Sequence, residues 1–227
     1  MASSASSKPA RVSVKTTLPA RPLPPNSSRL AATSDRLLIR ALVPEDLQSL
    51  HVLRTQPEVM ATTPQLRVDN SLEETKPWLD RFLPPNDEAT FHFAICVKET
   101  GEMIGIGGCH GFTSIFGWPV IGYMFRKEFW GQGVATEFLH TWLGMWCKLP
   151  REEVEIDVDP RTVSDGDGLV PEQVTALTIL DNVGSQRVLE KCGFENFATW
   201  LEPDLRNPEV DVLILGFRHS PSKESEI

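Results

Sequence analysis

The segment EFWGQGVATEFL, residues 128–139, decides how this sequence can fold. Its two glycines, Gly131 and Gly133, stand where an apolar pattern of helical spacing begins, although glycine weakens a helix by about 0.5–1 kcal/mol relative to alanine. Glycine there indicates a turn that only glycine can make, or a ligand that approaches the backbone closely. Because the first amides of a helix lack intrahelical partners and lie at its positive end, the segment predicts a pyrophosphate cradle. A tight strand-to-helix turn without a ligand is the simpler alternative.

The residues on either side of this segment fit a strand, a short glycine loop and a buried helix. Residues 118–125 are apolar and read as the strand. After the loop, Val134, Phe138 and Trp142 fall near helical spacing. The loop has neither the lysine of a Walker sequence nor the third glycine of a dinucleotide fingerprint, so the motif is not specific by itself.

Further outward, periodicity and turn residues predict seven strands and four helices, with Gly193 as the stop signal of the last helix. The strands lie at 35–42, 90–98, 102–109, 118–125, 172–181, 197–203 and 210–217, and the helices at 43–56, 69–84, from 131 onward and at 182–192. Such a mixture of elements predicts one α/β (α+β) domain over residues 35–218.

Composition excludes several classes of protein. The 227 residues carry a net charge of −9, which argues against nucleic acid as the main partner. No apolar run approaches the roughly 20 residues that a membrane helix needs. The cysteines are widely separated and histidine is scarce, so we expect no metal site and four reduced core thiols: Cys96, Cys109, Cys147 and Cys192.

Both ends of the chain differ in composition from the domain. Residues 1–34 are rich in Ser and Pro and contain basic residues but no acid, which predicts a disordered tail whose removal leaves the fold intact. The same composition is typical of a mitochondrial transit peptide, but the prolines disfavour the amphipathic helix of such a signal. We therefore expect a cytoplasmic protein, with mitochondrial import as the alternative, and a second flexible tail at 219–227.

Residues 150–171 form an acidic insert that glycine and proline interrupt. Residues 154–159 could form a short strand there, and the rest reads as a loop. An acidic surface would attract a protonated amine, especially one with a second positive charge. A solvated loop without such a role is the alternative.

A second motif, DNVGSQRVLEKCGFE at 181–195, follows its own strand. Together with WGQGVATE at 130–137 and RLLIRALVPEDL at 36–47, it resembles the GNAT superfamily of acetyltransferases, and most closely its RimJ/RimL-type branch. The resemblance covers about residues 35–217. It implies a GNAT-type fold, a mixed but mostly antiparallel central sheet of about seven strands with flanking helices, splayed between the family's fourth and fifth strands.

The resemblance also implies a function: N-acetyltransfer from acetyl-CoA, without a metal, to a primary amine on a small molecule or a protein N-terminus. Acetyl-CoA would lie in the splay, and an amide near Met124 would polarise its thioester carbonyl. We expect a monomer or homodimer. By their match to the family's motifs, the following residues would bind acetyl-CoA: Tyr123, Met124, Phe125, Gly131, Gln132, Gly133, Val134, Ala135, Thr136, Asn182 and Ser185.

Two departures from the family pattern bear on this site. Glu128 stands where the family has a basic or amide residue, so its side chain should turn away from the pyrophosphate, toward Arg126 or Lys127. Leu189 stands where many relatives have a catalytic tyrosine, so Ser185 is the better candidate for protonating the leaving thiolate, although the thiolate could also leave unassisted. His110 is a candidate general base, with a structural or surface histidine as the alternative.

The acceptor pocket would be bordered by Met60, Trp78 and the turn at 203–210. Because of the two departures, a CoA-binding regulatory module with little catalysis is an alternative function. A nucleotide-binding domain of another fold is a further one.

Overall fold

The computed structural model of this chain describes residues 11–163, 169–204 and 207–221. The strands are β1 (Val12–Pro19), β2 (Ala32–Thr33), β3 (Leu37–Ala41), β4 (Phe91–Val97), β5 (Met103–Gly111), β6 (Val120–Phe125), β7 (Arg151–Val158), β8 (Leu169–Val170), β9 (Val174–Ile179), β10 (Glu195–Asp204) and β11 (Asn207–His219). The α-helices are α1 (Leu47–Arg54), α2 (Pro57–Met60), α3 (Leu72–Asp80), α4 (Val134–Cys147) and α5 (Val183–Lys191).

Eight strands form one central sheet in the order β10-β11-β9-β6-β5-β4-β3-β2. Every pairing in it is antiparallel except that of β6 with β9, which is parallel. This confirms the mixed, mostly antiparallel sheet, and the short edge strand β2 is the addition to the seven predicted strands.

Helices cover both faces of the central sheet. On one face, α4 and the end of α5 pack over the largest apolar cluster, in which Phe138, Trp142 and Trp146 are fully buried. On the other face, α1 and α3 cover a second cluster that includes Leu50, Leu53 and Leu79. The two faces of β6 therefore meet different surroundings, because successive side chains of a strand point to opposite sides.

The prediction of a disordered tail is wrong for residues 11–34, which we call the N-terminal strap. Its strand β1 pairs antiparallel with β7 over eight residues, from Val12↔Val158 to Pro19↔Arg151. Leu23 is only 1% exposed and belongs to the main core cluster. Residues 1–10 lie outside the described part of the chain, and the ordered fold begins well before residue 35.

The acidic insert is also more regular than predicted. Its residues 151–158 form β7, which joins β1 and β8 in a second, three-stranded sheet. Val154 and Ile156 pack toward the cluster of Phe116 and Trp118, whereas the acidic side chains that alternate with them are exposed. The loop predicted for the rest of the insert includes residues 164–168, which lie outside the described residues.

At the C-terminal end, β11 runs to His219, one residue into the predicted flexible tail. The Nδ1 atom of His219 lies 3.0 Å from the carbonyl oxygen of Gly193. Residues 222–227 are outside the described part. None of the helices in the described ranges is long and apolar enough to cross a membrane.

Candidate active site

The parallel strands β6 and β9 separate soon after they meet. Their ladder has a single register pair, Val120↔Thr175, next to a 2.8 Å hydrogen bond from the Thr175 amide to the Pro119 carbonyl oxygen. Beyond this point the strands share no ladder, which leaves a gap lined by one edge of each strand. The splay implied by the family resemblance therefore lies between β6 and β9.

The backbone groups of β6 alternate between β5 and the gap. The Arg126 amide donates to the Ile104 carbonyl oxygen at 2.8 Å, so by antiparallel alternation the Met124 amide also faces β5. The amides of Tyr123 and Phe125 face the gap. The Phe125 carbonyl oxygen accepts a 2.7 Å hydrogen bond from Trp130 Nε1, on the side away from β5. The amide expected near Met124 is thus that of a neighbouring residue.

The glycine loop, residues 131–133, adopts backbone conformations that favour glycine. The φ angles of Gly131 and Gly133 are +73° and +79°, and both residues are exposed. A Cβ atom at Gly131 would meet no atom within 4 Å, so backbone conformation rather than crowding requires glycine there. Of the two explanations considered for these glycines, the structure shows the turn, and it leaves open space for a ligand.

The loop leads directly into the N-terminus of α4. The Glu137 amide donates to the Gly133 carbonyl oxygen at 3.0 Å, which is the first helical hydrogen bond. The amides of Val134, Ala135 and Thr136 precede this first donating amide, so they have no acceptor within the helix. Together with the exposed loop, they form a positively polarised helix end of the kind that fits a phosphate group.

Arg36 holds the glycine loop in place, and the sequence analysis missed this residue. Its Nη1 atom donates to the Gln132 carbonyl oxygen at 2.9 Å, and its Nε atom donates to Glu137 Oε2 at 2.7 Å. Ser34 Oγ donates to Glu137 Oε1 at 2.7 Å. The contact joins residues about a hundred positions apart, and no local signal in the sequence indicates it.

The Glu128 side chain contacts Arg126, one of its two expected partners, but Gln56 is its closer partner. Lys127, the other expected partner, pairs with Glu58 instead. Its carboxylate accepts from Gln56 Nε2 at 2.9 Å and contacts Arg126 Nη2 at 3.3 Å. These contacts, led by the one with Gln56, lower the pKa of Glu128 to about 2. Gln56 also accepts from the Lys127 amide at 2.8 Å, so it links α2 to the segment before the loop.

Tyr123 and Ser185 meet at the start of α5. Their hydroxyl oxygens are 3.0 Å apart, and burial raises the pKa of Tyr123 well above its usual range. The Asn182 side chain caps α5, because its Oδ1 accepts from the Ser185 amide at 3.1 Å. Leu189 is 1% exposed in the core. The tyrosine that contacts Ser185 therefore comes from β6, whereas the catalytic tyrosine of many relatives would correspond to Leu189 on α5.

His110 is on β5, and its ring lies next to Gly122 of β6, on the face of the sheet opposite to the Tyr123 side chain. A Cβ atom at Gly122 would lie only 3.1 Å from His110 Cε1. The imidazole ring therefore occupies space that is free because residue 122 is a glycine. The side chain still reaches solvent, while surrounding protein atoms, followed by the charge of Arg81, lower the pKa of His110 below its usual range. The imidazole is therefore neutral at pH 7 and able to accept a proton.

The expected border of an acceptor pocket agrees only in part with the structure. Met60 is 1% exposed and packs in the core, so it does not line an open surface. Trp78 is partly exposed and stacks under the guanidinium of Arg54, 4.9 Å from its ring centre. Residues 205–206 of the predicted turn are outside the described part. Across the described ranges, no group of three or more His, Cys, Asp or Glu side chains is placed to hold a metal ion.

Comparison with known families agrees with this geometry. The family described as an acetyltransferase (GNAT) domain matches residues 36–195, which include β6, the glycine loop, β9 and α5. The chain therefore belongs to the GNAT acetyltransferase family, as the sequence motifs predict.

Several solved structures share this fold at low sequence identity. RimL, a ribosomal L7/L12 α-N-protein acetyltransferase solved with coenzyme A, is 18% identical with a TM-score of 0.63, over 83% of this chain and 96% of its own. The ribosomal-protein-S5-alanine acetyltransferase of Vibrio fischeri is 15% identical with a TM-score of 0.63, over 86% and 98%. The spermidine N-acetyltransferase of Vibrio cholerae, solved with CoA and spermine, is 15% identical with a TM-score of 0.60, over 84% and 98%.

Proposed function

We propose that this protein transfers an acetyl group from acetyl-CoA, bound in the gap between β6 and β9, directly to a primary amine. One observation carries the proposal: His110, which lies over Gly122, and the Tyr123–Ser185 pair are on opposite faces of β6, the strand that borders the gap. A group that accepts a proton and a group that can donate one thus flank the place where a thioester would lie.

The described residues fit the chemical parts of acetyl-CoA. The glycine loop and the amides of Val134, Ala135 and Thr136 would hold the pyrophosphate, and the gap-facing amides of Tyr123 and Phe125 would pair with the extended arm. Acetyl-CoA supplies an activated acetyl thioester. An amide that points at the carbonyl oxygen stabilises negative charge there, which in enzymes lowers the barrier substantially.

The two proton carriers act at different atoms. His110, neutral near pH 7, would accept the proton that the amine must lose in order to attack. Ser185 Oγ would donate a proton toward the leaving sulfur, and the hydrogen bond with the Tyr123 hydroxyl orients Ser185 for that task. The sulfur would leave on the α5 side, whereas the amine approaches from the His110 side.

The decisive experiment measures acetyl-CoA turnover with a panel of primary amines for the wild type, His110→Gln and Ser185→Ala. His140→Gln, which changes an exposed histidine on α4, is the matched control. We expect both site variants to lose roughly 10²-fold or more in kcat/KM, the usual scale of acid–base catalysis, and the control to keep wild-type turnover. Wild-type rates in both site variants would remove these residues from the mechanism, whereas acetyl-CoA binding without any turnover would favour the regulatory module.

A pH profile tests the base separately. Only neutral His110 can accept a proton, so kcat/KM should rise with pH through the pKa of His110 and then level off. Because that pKa is lowered, the midpoint of the rise should lie below the ordinary histidine value of about 6.5. An ascending limb centred well above this value would contradict the assignment.

A further inference from the structure

Arg81 gives a positive charge to the face of the sheet on which His110 and α3 lie. Arg81 follows the last turn of α3, and its guanidinium carbon lies 5.6 Å from the centre of the Phe82 ring. The Phe82 ring stacks on His92 at 4.2 Å with an angle of 15° between the planes. His92 on β4 pairs with Gly108 on β5, and Gly108 precedes His110 by two residues. Arg81 thus lies on the same face of the sheet as His110.

The charges that act on this face are positive. Burial is the main cause that lowers the pKa of His110 and of His92. The charge of Arg81 adds to it at both rings, and His110 and Arg29 add to it at His92. No carboxylate contributes to either shift. Arg81 is exposed and forms no ion pair with any residue in the described ranges.

The nearby acids are engaged elsewhere. Asp80, next to Arg81 in sequence, is bound by Lys76 at 2.7 Å, and Asp87 is buried and accepts from the Asn26 amide at 2.6 Å. Neither carboxylate is among the causes of the shift at His110. The positive charge of Arg81 therefore has no ion-pair partner in the described part of the chain, and it acts on the face of the sheet that carries His110.

We infer that the acceptor amine carries a side-chain carboxylate, which the Arg81 guanidinium binds while the amino group faces His110. The inference rests on the proposed acetyl transfer and adds the chemical class of the acceptor. Arginine suits this task because its planar fork can donate two parallel hydrogen bonds to a carboxylate. A free acidic amino acid and a peptide with an acidic N-terminal sequence share this chemistry.

The acidic insert suggests the opposite preference, but its carboxylates are exposed to solvent. Glu153, Glu155 and Asp157 lie on the exposed side of β7, opposite the side chains of Val154 and Ile156 that pack toward the rest of the molecule. A dicationic amine at His110 would meet the unneutralised charge of Arg81. Repulsion there disfavours polyamines, whatever long-range attraction the insert exerts.

The test compares acceptors that differ by one charge: tripeptides beginning Ala-Asp, Ala-Asn and Ala-Lys, free aspartate against asparagine, and spermidine as the dication. At low salt we expect the Ala-Asp peptide or aspartate to exceed its counterpart with a side-chain amide by roughly 10- to 100-fold in kcat/KM. The variant Arg81→Gln should abolish this ratio and Arg81→Lys should keep part of it. Lys148→Gln, which removes an exposed charge after α4, is the control and should leave the ratio unchanged.

The outcomes separate the inference from the proposed function. The inference is overturned if Ala-Lys or spermidine is preferred, or if Arg81→Gln keeps the wild-type ratio while its acetyl-CoA-induced thermal shift shows an intact binding site. Absence of turnover with every amine, despite acetyl-CoA binding, overturns the proposed function and this inference with it. Comparison of the free amino acid with the peptide then identifies which source of carboxylate the site prefers.

Discussion

The N-terminal strap and the glycine loop are held in opposite ways. The strap is fixed by burial: Leu23 enters the main core, and the Arg29 guanidinium donates to the carbonyl oxygens of Pro24, Asp87 and Thr90 at 2.6–2.9 Å. Burial lowers the pKa of Arg29 to about 10. Both glycines of the glycine loop are exposed. The loop is held by its own backbone angles and by one hydrogen bond from Arg36 to the Gln132 carbonyl oxygen.

This difference separates stability from function. A segment that contributes buried apolar area and satisfied polar groups stabilises the fold but offers little to a ligand. A loop that must present free amides cannot be stabilised by burying them. Changes in the strap should therefore cost stability first, and changes around the gap should cost binding or turnover at a small cost in stability.

The largest effect should come from removing the strap. A chain that starts at Ser34 loses β1, the pairing partner of β7 over eight residues, and leaves cavities where Leu18 and Leu23 were buried. We expect loss of cooperative thermal unfolding and poor solubility. A chain that starts at Arg11 keeps every described contact and is the control. If the shorter chain unfolds with the same midpoint as the control, the strap is dispensable and its pairing with β7 contributes nothing measurable.

The same comparison explains what the sequence could predict. The determinants of the glycine loop lie within a dozen residues: a strand, two glycines and an apolar helical pattern, so local reasoning locates it correctly. The strap is ordered by partners far along the chain, such as Val12 against Val158. Its composition predicts disorder because composition does not show that a distant segment, β7, offers a pairing partner for β1.

The site shows the same limit. Motif matching indicates the loop, Asn182 and Ser185, all of which lie at the ends of β6 and β9. The bond between Tyr123 and Ser185 and the brace from Arg36 to Gln132 join residues 62 and 96 positions apart. Such pairs depend on how strands and helices are arranged in space, and no spacing rule along a single sequence specifies them.

Within the strap, burial should decide the size of each effect. Leu23→Ala removes a side chain that is 1% exposed in the core and should lower the free energy of unfolding by about 2–5 kcal/mol. Leu30→Ala makes the same change in the same segment at a residue 87% exposed, and should be almost neutral. Denaturant unfolding of both variants measures the difference. Equal losses would show that the strap does not pack as described.

In the glycine loop, backbone conformation should decide the effect. Gly133→Ala places a side chain at φ +79° and should cost about 1–2 kcal/mol, with a weaker thermal shift on adding acetyl-CoA. Gly144→Ala lies inside the same helix, in its last turn, where a Cβ atom meets nothing within 4 Å, and should raise stability by about 0.5–1 kcal/mol. A stabilising effect at both positions would contradict the left-handed conformation of Gly133.

The smallest change in stability, with a distinct change in rate, should come from Tyr123→Phe. The ring keeps its contact with Phe138, 6.4 Å away between centres, while the hydrogen bond to Ser185 is lost. One such bond contributes about 0.5–1.5 kcal/mol, so the unfolding midpoint should move little. If the bond orients Ser185 for proton donation, kcat should fall, and the double variant Tyr123→Phe, Ser185→Ala should be no slower than Ser185→Ala alone. Strictly additive losses in kcat would show that the two hydroxyls act independently, and an unchanged kcat in both single variants would mean that the sulfur leaves without their help.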